Sequence, residues 1–211
     1  KDSSNLRCFD INEGSAKVIA SNGIAPYTYI WSNTSSSDSI GGLNAGAYSV
    51  TVQDSLNCSK STSYNITQPN EISLVKDSGE VSCAGYSDAW AKVSVSGGTP
   101  SYTYSWSSSG SQDSIYGLAS GIYYISVQDS LSCLLTDSFN IPDRPLLELA
   151  KDSQNIICLD DSNAYVKISV VGGSPPYNYL WQDSSTADSI GGLVAGSYSV
   201  SVTDAKTCSN S

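Results

Sequence analysis

Apolar and polar residues alternate along short stretches of this chain, and the same stretches return at a fixed interval. Tyr27-Thr28-Tyr29-Ile30-Trp31 comes back as Tyr102-Thr103-Tyr104-Ser105-Trp106 and as Tyr177-Asn178-Tyr179-Leu180-Trp181. In an extended chain alternate side chains share a face, so both tyrosines and the tryptophan of each copy fall on one side. Aromatic residues at period two predict a half-buried strand, whereas a helix would scatter these rings around its axis. The cleanest alternation is Tyr48–Val52, repeated as Tyr123–Val127 and Tyr198–Val202. Each of these follows a glycine (Gly46, Gly121, Gly196) suited to a tight turn.

The remaining elements follow from the same pattern. In the second copy a first strand is expected from Ile72–Val75 towards Cys83, and a second over Ala89–Ser96 with Ala91, Val93 and Val95 on one face. Gly97-Gly98 then makes a turn, and Pro100 sets the start of the aromatic strand. Ser114-Ile115 opens a short strand that ends at Gly117-Leu118. A last strand, Ser63–Thr67 or its copy Ser138–Ile141, closes the module before Pro69 or Pro142. Six or seven short strands per copy predict an all-β chain of three tandem immunoglobulin-like sandwiches.

The expected modules are 1–69, lacking its first strand, 70–144, and 145–211, lacking its last. The connections Gln68-Pro69-Asn70 and Asp143-Arg144-Pro145 are too short and too proline-bound to be floppy, so a semi-rigid rod is expected, each repeat partnered by its neighbours. Open sheet edges at the two ends would suit pairing with other chains of a filament.

Composition narrows the function classes. The formal charge is −10 and no basic cluster exists, which argues against nucleic acid and against an anionic membrane surface. No apolar run reaches the roughly 18 residues a spanning helix needs, so no segment is expected to enter a membrane. Methionine is absent, and the opening Lys1-Asp2-Ser3 recurs at 76–78 and 151–153, as expected of a window from a longer polypeptide. With no histidine a Ser-His-Asp site cannot be built, and the four glutamates (13, 71, 80, 148) never recur at matching positions. No catalytic residue is nominated.

Six cysteines, at positions 8, 58, 83, 133, 158 and 208, alternate between a long and a short spacing. Pairing Cys8–Cys58, Cys83–Cys133 and Cys158–Cys208 uses every one and keeps each bond inside one repeat, so this scheme is expected. The rival, Cys58–Cys83 with Cys133–Cys158, strands Cys8 and Cys208. Small sandwiches near the lower limit of a self-sufficient core gain about 4 kcal/mol from closing such a loop. Zinc is not expected, because the ligands are far apart and no histidine is available.

The recurrent rings could stack sugars, which would make the chain a carbohydrate-binding array contacting surface polysaccharide. The expectation here is a core, with Trp31, Trp106 and Trp181 packed against the Tyr48-type strand. Trp90 has Ser15 and Tyr165 as counterparts and is a candidate contact if exposed. Of 16 aspartates, 11 precede serine, a pairing natural to turns. Calcium could be held where Asp54, Asp129 or Asp204 meets Asp77 or Asp152, although no dense acidic loop is present. No other cofactor is suggested.

Read as one consensus, a copy runs from a cysteine to Gly-x-Pro-x-Tyr-x-Tyr-x-Trp, then Asp-Ser-Ile-x-Gly-Leu, Gly-x-Tyr, and Asp before a closing cysteine; the first copy departs at Asn22-Gly23 and Ala25-Pro26, and the third has Ala205-Lys206 after Asp204. Gly98-x-Pro100-x-Tyr102-x-Tyr104-x-Trp106, with Gly121-x-Tyr123 through Asp129 to Cys133, is its core. This resembles the SprB-type adhesin repeat of Bacteroidota and, more loosely, the PKD-like sandwich. The resemblance implies a long, secreted cell-surface protein, exported by the type IX route and associated with adhesion and gliding. It also implies O-glycosylation at Asp-Ser followed by an apolar residue, with Ser39, Ser55, Ser114, Ser130 and Ser189 as candidates.

Overall fold

The computed structural model describes residues 2–156 and 162–211, so Cys158 lies outside the described residues. Every regular element among the described residues is a strand. The first repeat contains β1 (Asp2–Ser4), β2 (Gly14–Lys17), β3 (Thr28–Trp31), β4 (Ser39–Leu43), β5 (Gly46–Gln53) and β6 (Ser59–Ile66). The second repeats the series as β7 (Ser73–Gly79), β8 (Ala89–Ser96), β9 (Thr103–Trp106), β10 (Ser114–Leu118), β11 (Gly121–Gln128) and β12 (Leu134–Ile141). The third gives β13 (Glu148–Gln154), β14 (Ala164–Val171), β15 (Asn178–Trp181), β16 (Ser189–Leu193), β17 (Val200–Thr203) and β18 (Ser209–Asn210).

Each repeat builds two three-stranded sheets in one order. In the first these are β1-β2-β4 and β3-β5-β6, and the other two repeats copy the arrangement. Dividing the strands so that the first, second and fourth form one sheet and the third, fifth and sixth the other is immunoglobulin-like. A second hallmark is present in all three. Tyr48, Tyr123 and Tyr198, near the start of the Tyr48-type stretch, donate their hydroxyls to the carbonyls of Asn44, Ala119 and Val194 upstream. The chain is thus a tandem of immunoglobulin-like β-sandwich repeats.

Burial follows the alternation. Trp31, Trp106 and Trp181 are almost fully enclosed, and each indole N–H donates to a backbone carbonyl, of Ser37, Gln112 or Ala187, at 2.8–2.9 Å. In the first repeat Trp31 packs with Ala16, Val18, Ile40, Leu43, Val50, Tyr64 and Ile66, drawn from both sheets. In the third, Trp181 joins Ile168, Ile190, Leu193 and Val202. Enclosing such a ring while satisfying its one donor stabilises a small sandwich without leaving an orphaned polar atom.

Tyr27, Tyr102 and Tyr177 lie just before their strands, not on them. Their hydroxyls donate back to the carbonyls of Gly23, Gly97 and Gly172, fastening the preceding turn. Tyr29, Tyr104 and Tyr179 are half-buried.

Several expectations need correction. The first repeat does have a first strand: Asp2–Ser4 pairs antiparallel with β2. The last strand starts earlier than Ser63, at Ser59, because its whole length pairs with β5 from Gln53 back to Gly46. The third repeat carries a short last strand, Ser209–Asn210, bonded to β17. β17 itself begins at Val200 instead of Tyr198. In β5 the residues before Val50 pair only with β6, and β18 is too short to offer that ladder.

By internal contact the chain divides into two compact units whose boundaries fall inside the second repeat. One comprises Lys1–Val75, Val93–Gln112 and Ile125–Asp137; the other comprises Lys76–Lys92, Asp113–Tyr124 and Ser138–Ser211. Among the described residues each unit contains one disulfide.

Candidate functional site

The cysteines do not pair within repeats. Cys8 bonds Cys133 and Cys83 bonds Cys208, each across 125 residues, while Cys58 is a free, exposed thiol. The expected Cys8–Cys58, Cys83–Cys133 and Cys158–Cys208 scheme is overturned for every described cysteine. The physical reason lies in where each sulfur sits. The first cysteine of a repeat is in the β1–β2 loop or its copy, the second in the β5–β6 loop or its copy, and the loops brought together belong to successive repeats. The bond therefore ties the first-loop cysteine of one repeat to the last-loop cysteine of the next.

The loop that presents the second cysteine is built around a carboxylate. Asp129 Oδ1 accepts the backbone N–H of Leu131 and of Cys133, both at 2.9 Å, and Oδ2 accepts that of Thr99 at 2.8 Å. Asp204 does the same with Lys206, Cys208 and Ser174 at 2.8–2.9 Å. Asp54 repeats it with Leu56, Cys58 and Ile24 at 2.9–3.2 Å. The turn closes with the aspartate N–H donating to the cysteine carbonyl at 2.9–3.0 Å in every copy. Asn57, Ser132 and Thr207, immediately before the cysteine, sit at φ of 65 to 69°.

Asp129 and Asp204 are buried. Burial alone would push their carboxyls up, but three backbone N–H donors apiece outweigh it and hold both below the ordinary carboxylate value. Asp54 is also lowered, chiefly by the N–H groups of Cys58 and Ile24. With their oxygens committed to backbone donors, these aspartates do not offer the free oxygen cluster a calcium site requires.

The loop bearing the first cysteine has its own acidic brace. Glu13 accepts the N–H of Arg7 at 2.6 Å and grips its guanidinium at 2.8–3.1 Å. In the next repeat Asp88 takes the N–H of Ser82 at 2.9 Å. Both acidic groups are held low, Glu13 mainly by its side-chain bond to Arg7 and Asp88 by its side-chain bond to Ser82.

The chain between repeats is packed, not free. Gly98 N–H donates to Asn70 O at 2.8 Å, and Gly173 N–H to Pro145 O at 3.2 Å. Ile72 and Leu147 rest on these glycines. At Gly97 and Gly172 a side chain would overlap the carbonyl oxygen of Glu71 or Leu146, and both have φ near +75°. Only glycine meets both demands there. A cleft of about 320 Å³ beside Cys8–Cys133 is lined by Phe9, Ile11, Ile72 and Leu135 among others.

Arg144 makes the second junction denser. Its Nε donates to Val81 O at 2.6 Å, its guanidinium pairs with Glu80 at 2.8 Å, and it reaches Ser174 Oγ at 3.4 Å. Sequence reasoning passed over it. The available signal was that the chain has only two arginines, one beside Cys8 and one in a linker.

Of the candidate glycosylation serines, Ser39, Ser55 and Ser130 are exposed, while Ser114 and Ser189 are half-buried. Ser39, Ser114 and Ser189 donate to the preceding aspartate at 3.0–3.1 Å, and Ser130 to Thr99 O at 3.0 Å. Trp90 is half-buried against Gly79, directly opposite the exposed Tyr116 on β10.

The family model for the SprB repeat matches residues 1–36, 77–111 and 150–186, about half of the chain. No curated protein matches. Among solved structures the chain is similar to the amphioxus IgVJ-C2 molecule, with 12% identity and a TM-score of 0.28, over 60% of this chain and 94% of that one. It is also similar to the N-terminal eight Ig domains of Down Syndrome Cell Adhesion Molecule isoform 1.30.30, with 12% identity and a TM-score of 0.29, over 74% of this chain and 25% of that one. Sidekick-1 immunoglobulin domains 1–5 match at 11% identity and a TM-score of 0.32, over 87% of this chain and 50% of that one.

Proposed function

Because the chain belongs to the SprB repeat family, we propose that it is a non-catalytic structural segment of an extracellular adhesive protein, whose repeats are cross-linked to resist tension. The observation that carries this reading is the register of the disulfides, each joining one repeat to the next. Disulfides persist in oxidising surroundings, which fits a surface location. The recurrent aromatic rings are buried or half-buried, which takes away the main support for an array of aligned sugar platforms. Export by the type IX route and a part in gliding belong to the same proposal, supported by the family resemblance.

Force spectroscopy tests it. Handles on Ser3 and Asp143 of the full chain pull along a covalent path that leaves the backbone at Cys8 and rejoins it at Cys133. Only about 15 residues can then be drawn out, about 50 Å at ~3.5 Å per residue, against about 490 Å once the bond is reduced. Bonds inside each repeat would allow about 140 Å. An oxidised chain that extends as far as the intra-repeat scheme allows, or beyond, would refute the proposal.

A further inference from the structure

The loop around Cys58 has the same internal geometry as its two copies but no bond. Asp54, Asp129 and Asp204 hold three loops with one set of backbone donors, and in two of them the cysteine is joined to a cysteine 125 residues earlier. In the third the thiol is presented, exposed and free. The surface beside it differs in what lies against the turn glycine. Where Ile72 and Leu147 are the nearest side chains to Gly98 and Gly173, the nearest to Gly23 are Tyr27 and Asp54. An open cleft of about 510 Å³ is left there, lined by Ile19, Asn22, Gly23, Tyr27, Asp54 and Cys58. Ile19, Ile24 and Leu56 are 55–71% exposed around these same loops. Ile19 lines the cleft, and Ile24 and Leu56 flank it in sequence, so a docked segment would find apolar side chains there to cover.

We infer that Cys58 is the attachment point for a further repeat of this kind, continuous with the chain ahead of Lys1. The contact is a disulfide from the cysteine in that repeat's first loop, with the apolar residue of its linker seated in the cleft. The bond forms as two thiols each lose a proton and an electron. A small-molecule disulfide such as oxidised glutathione accepts both and leaves as two thiols. One difference from the two formed junctions is built in. Asn22 stands where the others have Gly97 and Gly172, so the incoming linker runs outside its side chain instead of against the turn backbone. The inference concerns connectivity and does not depend on whether the array carries tension.

The test lengthens the chain by one repeat. A copy of residues 1–75 fused ahead of Lys1 places a first-loop cysteine before Cys58 at the same separation as in the two existing bonds, 125 residues. It also places an isoleucine ahead of Lys1 as Ile72 stands ahead of Lys76. A second version uses a copy of residues 76–150, which supplies the equivalent cysteine and a leucine. Each is folded in a glutathione redox buffer, its free thiols are blocked with a maleimide, and its disulfides are mapped on unreduced peptides. Expected is a peptide joining the added first-loop cysteine to Cys58, with Cys8–Cys133 and Cys83–Cys208 retained. Maleimide labelling of Cys58 should fall at least about tenfold from its level in the 211-residue chain, the sign of a thiol withdrawn into a disulfide. Cys58 remaining free in both versions, or bonding between separate molecules, would overturn the inference.

Discussion

Removing the Cys8–Cys133 bond should lower the melting temperature by about 10–20 °C. The bond closes a loop of 125 residues, and the chain-entropy treatment assigns such a closure about 5 kcal/mol, against about 4 for the shorter loop of an intra-repeat bond. For a folded mass of about 150–250 residues each kcal/mol corresponds to about 2–4 °C. The appropriate variant is Cys8→Ser with Cys133→Ser, which leaves no orphaned thiol to attack the second bond or to be oxidised together with Cys58. The second repeat should respond most. It is held at Cys133 by the first bond and at Cys83 by the other, so when it opens alone both its inner loop and its two flanks remain short. Calorimetry gives the shift, and hydrogen exchange at the amides of Val93 and Val127 locates it. In the single variant Cys8→Ser, thiol mapping should find Cys133 newly reactive and Cys58 unchanged. A double variant melting within about 2 °C of the parent would refute the reasoning, since closures of this length are worth several kcal/mol. So would Cys58 changing its reactivity in place of Cys133.

The remaining predictions concern the braced loop and the topology. Asp129→Ala strips one buried and two part-buried N–H groups of their acceptor; at the lower end of the usual penalty, about 1–1.5 kcal/mol each because water can reach the part-buried pair, roughly 3–5 kcal/mol should be lost, read as the urea midpoint at pH 7. The Asp129 carboxyl is held below its ordinary value, so its stabilising contribution is present above about pH 4 and is lost as pH falls through the folded value. The gap between parent and variant should therefore narrow progressively as pH falls below about 4, and a gap independent of pH would count against the carboxylate's role. Separately, a protease site placed at Gln68-Pro69-Asn70 should give a cleaved chain that stays one species without reductant and separates with it. Separation without reductant would mean that Cys8–Cys133 does not bridge the cut.

Much of the fold was legible because one rule, side chains alternating across a strand, acts residue by residue. It located the Trp31-type strand and the Tyr48-type strand, and the tryptophans are buried as the pattern implies. The same rule misplaced Tyr27, Tyr102 and Tyr177. Their hydroxyls reach back to a turn, and a period of two says nothing about where a strand begins. The first strand of the first repeat was also readable. Lys76-Asp77-Ser78 and Lys151-Asp152-Ser153 lie in β7 and β13, so their copy at the start of the chain had to be a strand as well. The cysteine pairing was not legible. In a strictly periodic chain, pairing within a repeat and pairing with the next one are equally regular, and choosing between them requires knowing which repeat's loop faces which. That knowledge rests on long-range packing at Gly97, Gly98 and Ile72, where a linker backbone settles onto a turn that has no side chain to refuse it.

The consequence of that choice is a chain held together by more than its backbone. The second bond opens at Cys83, before the first closes at Cys133, so the two loops overlap and the stretch from Cys83 to Cys133 lies inside both. A break between Cys8 and Cys83 is spanned by the first bond, and one between Cys133 and Cys208 by the second. Between Cys83 and Cys133 both bonds span it. Had the sulfurs paired within each repeat, the linkers would have been the unprotected places. Instead the linkers lie under a disulfide and a carboxylate-braced loop, with Arg144 tying the second one to Val81 and Glu80. Small sandwiches with little core gain from any staple. Only a staple set across the joints also keeps the linkers spanned by a second covalent path, and that is what the proposed tension-bearing role requires.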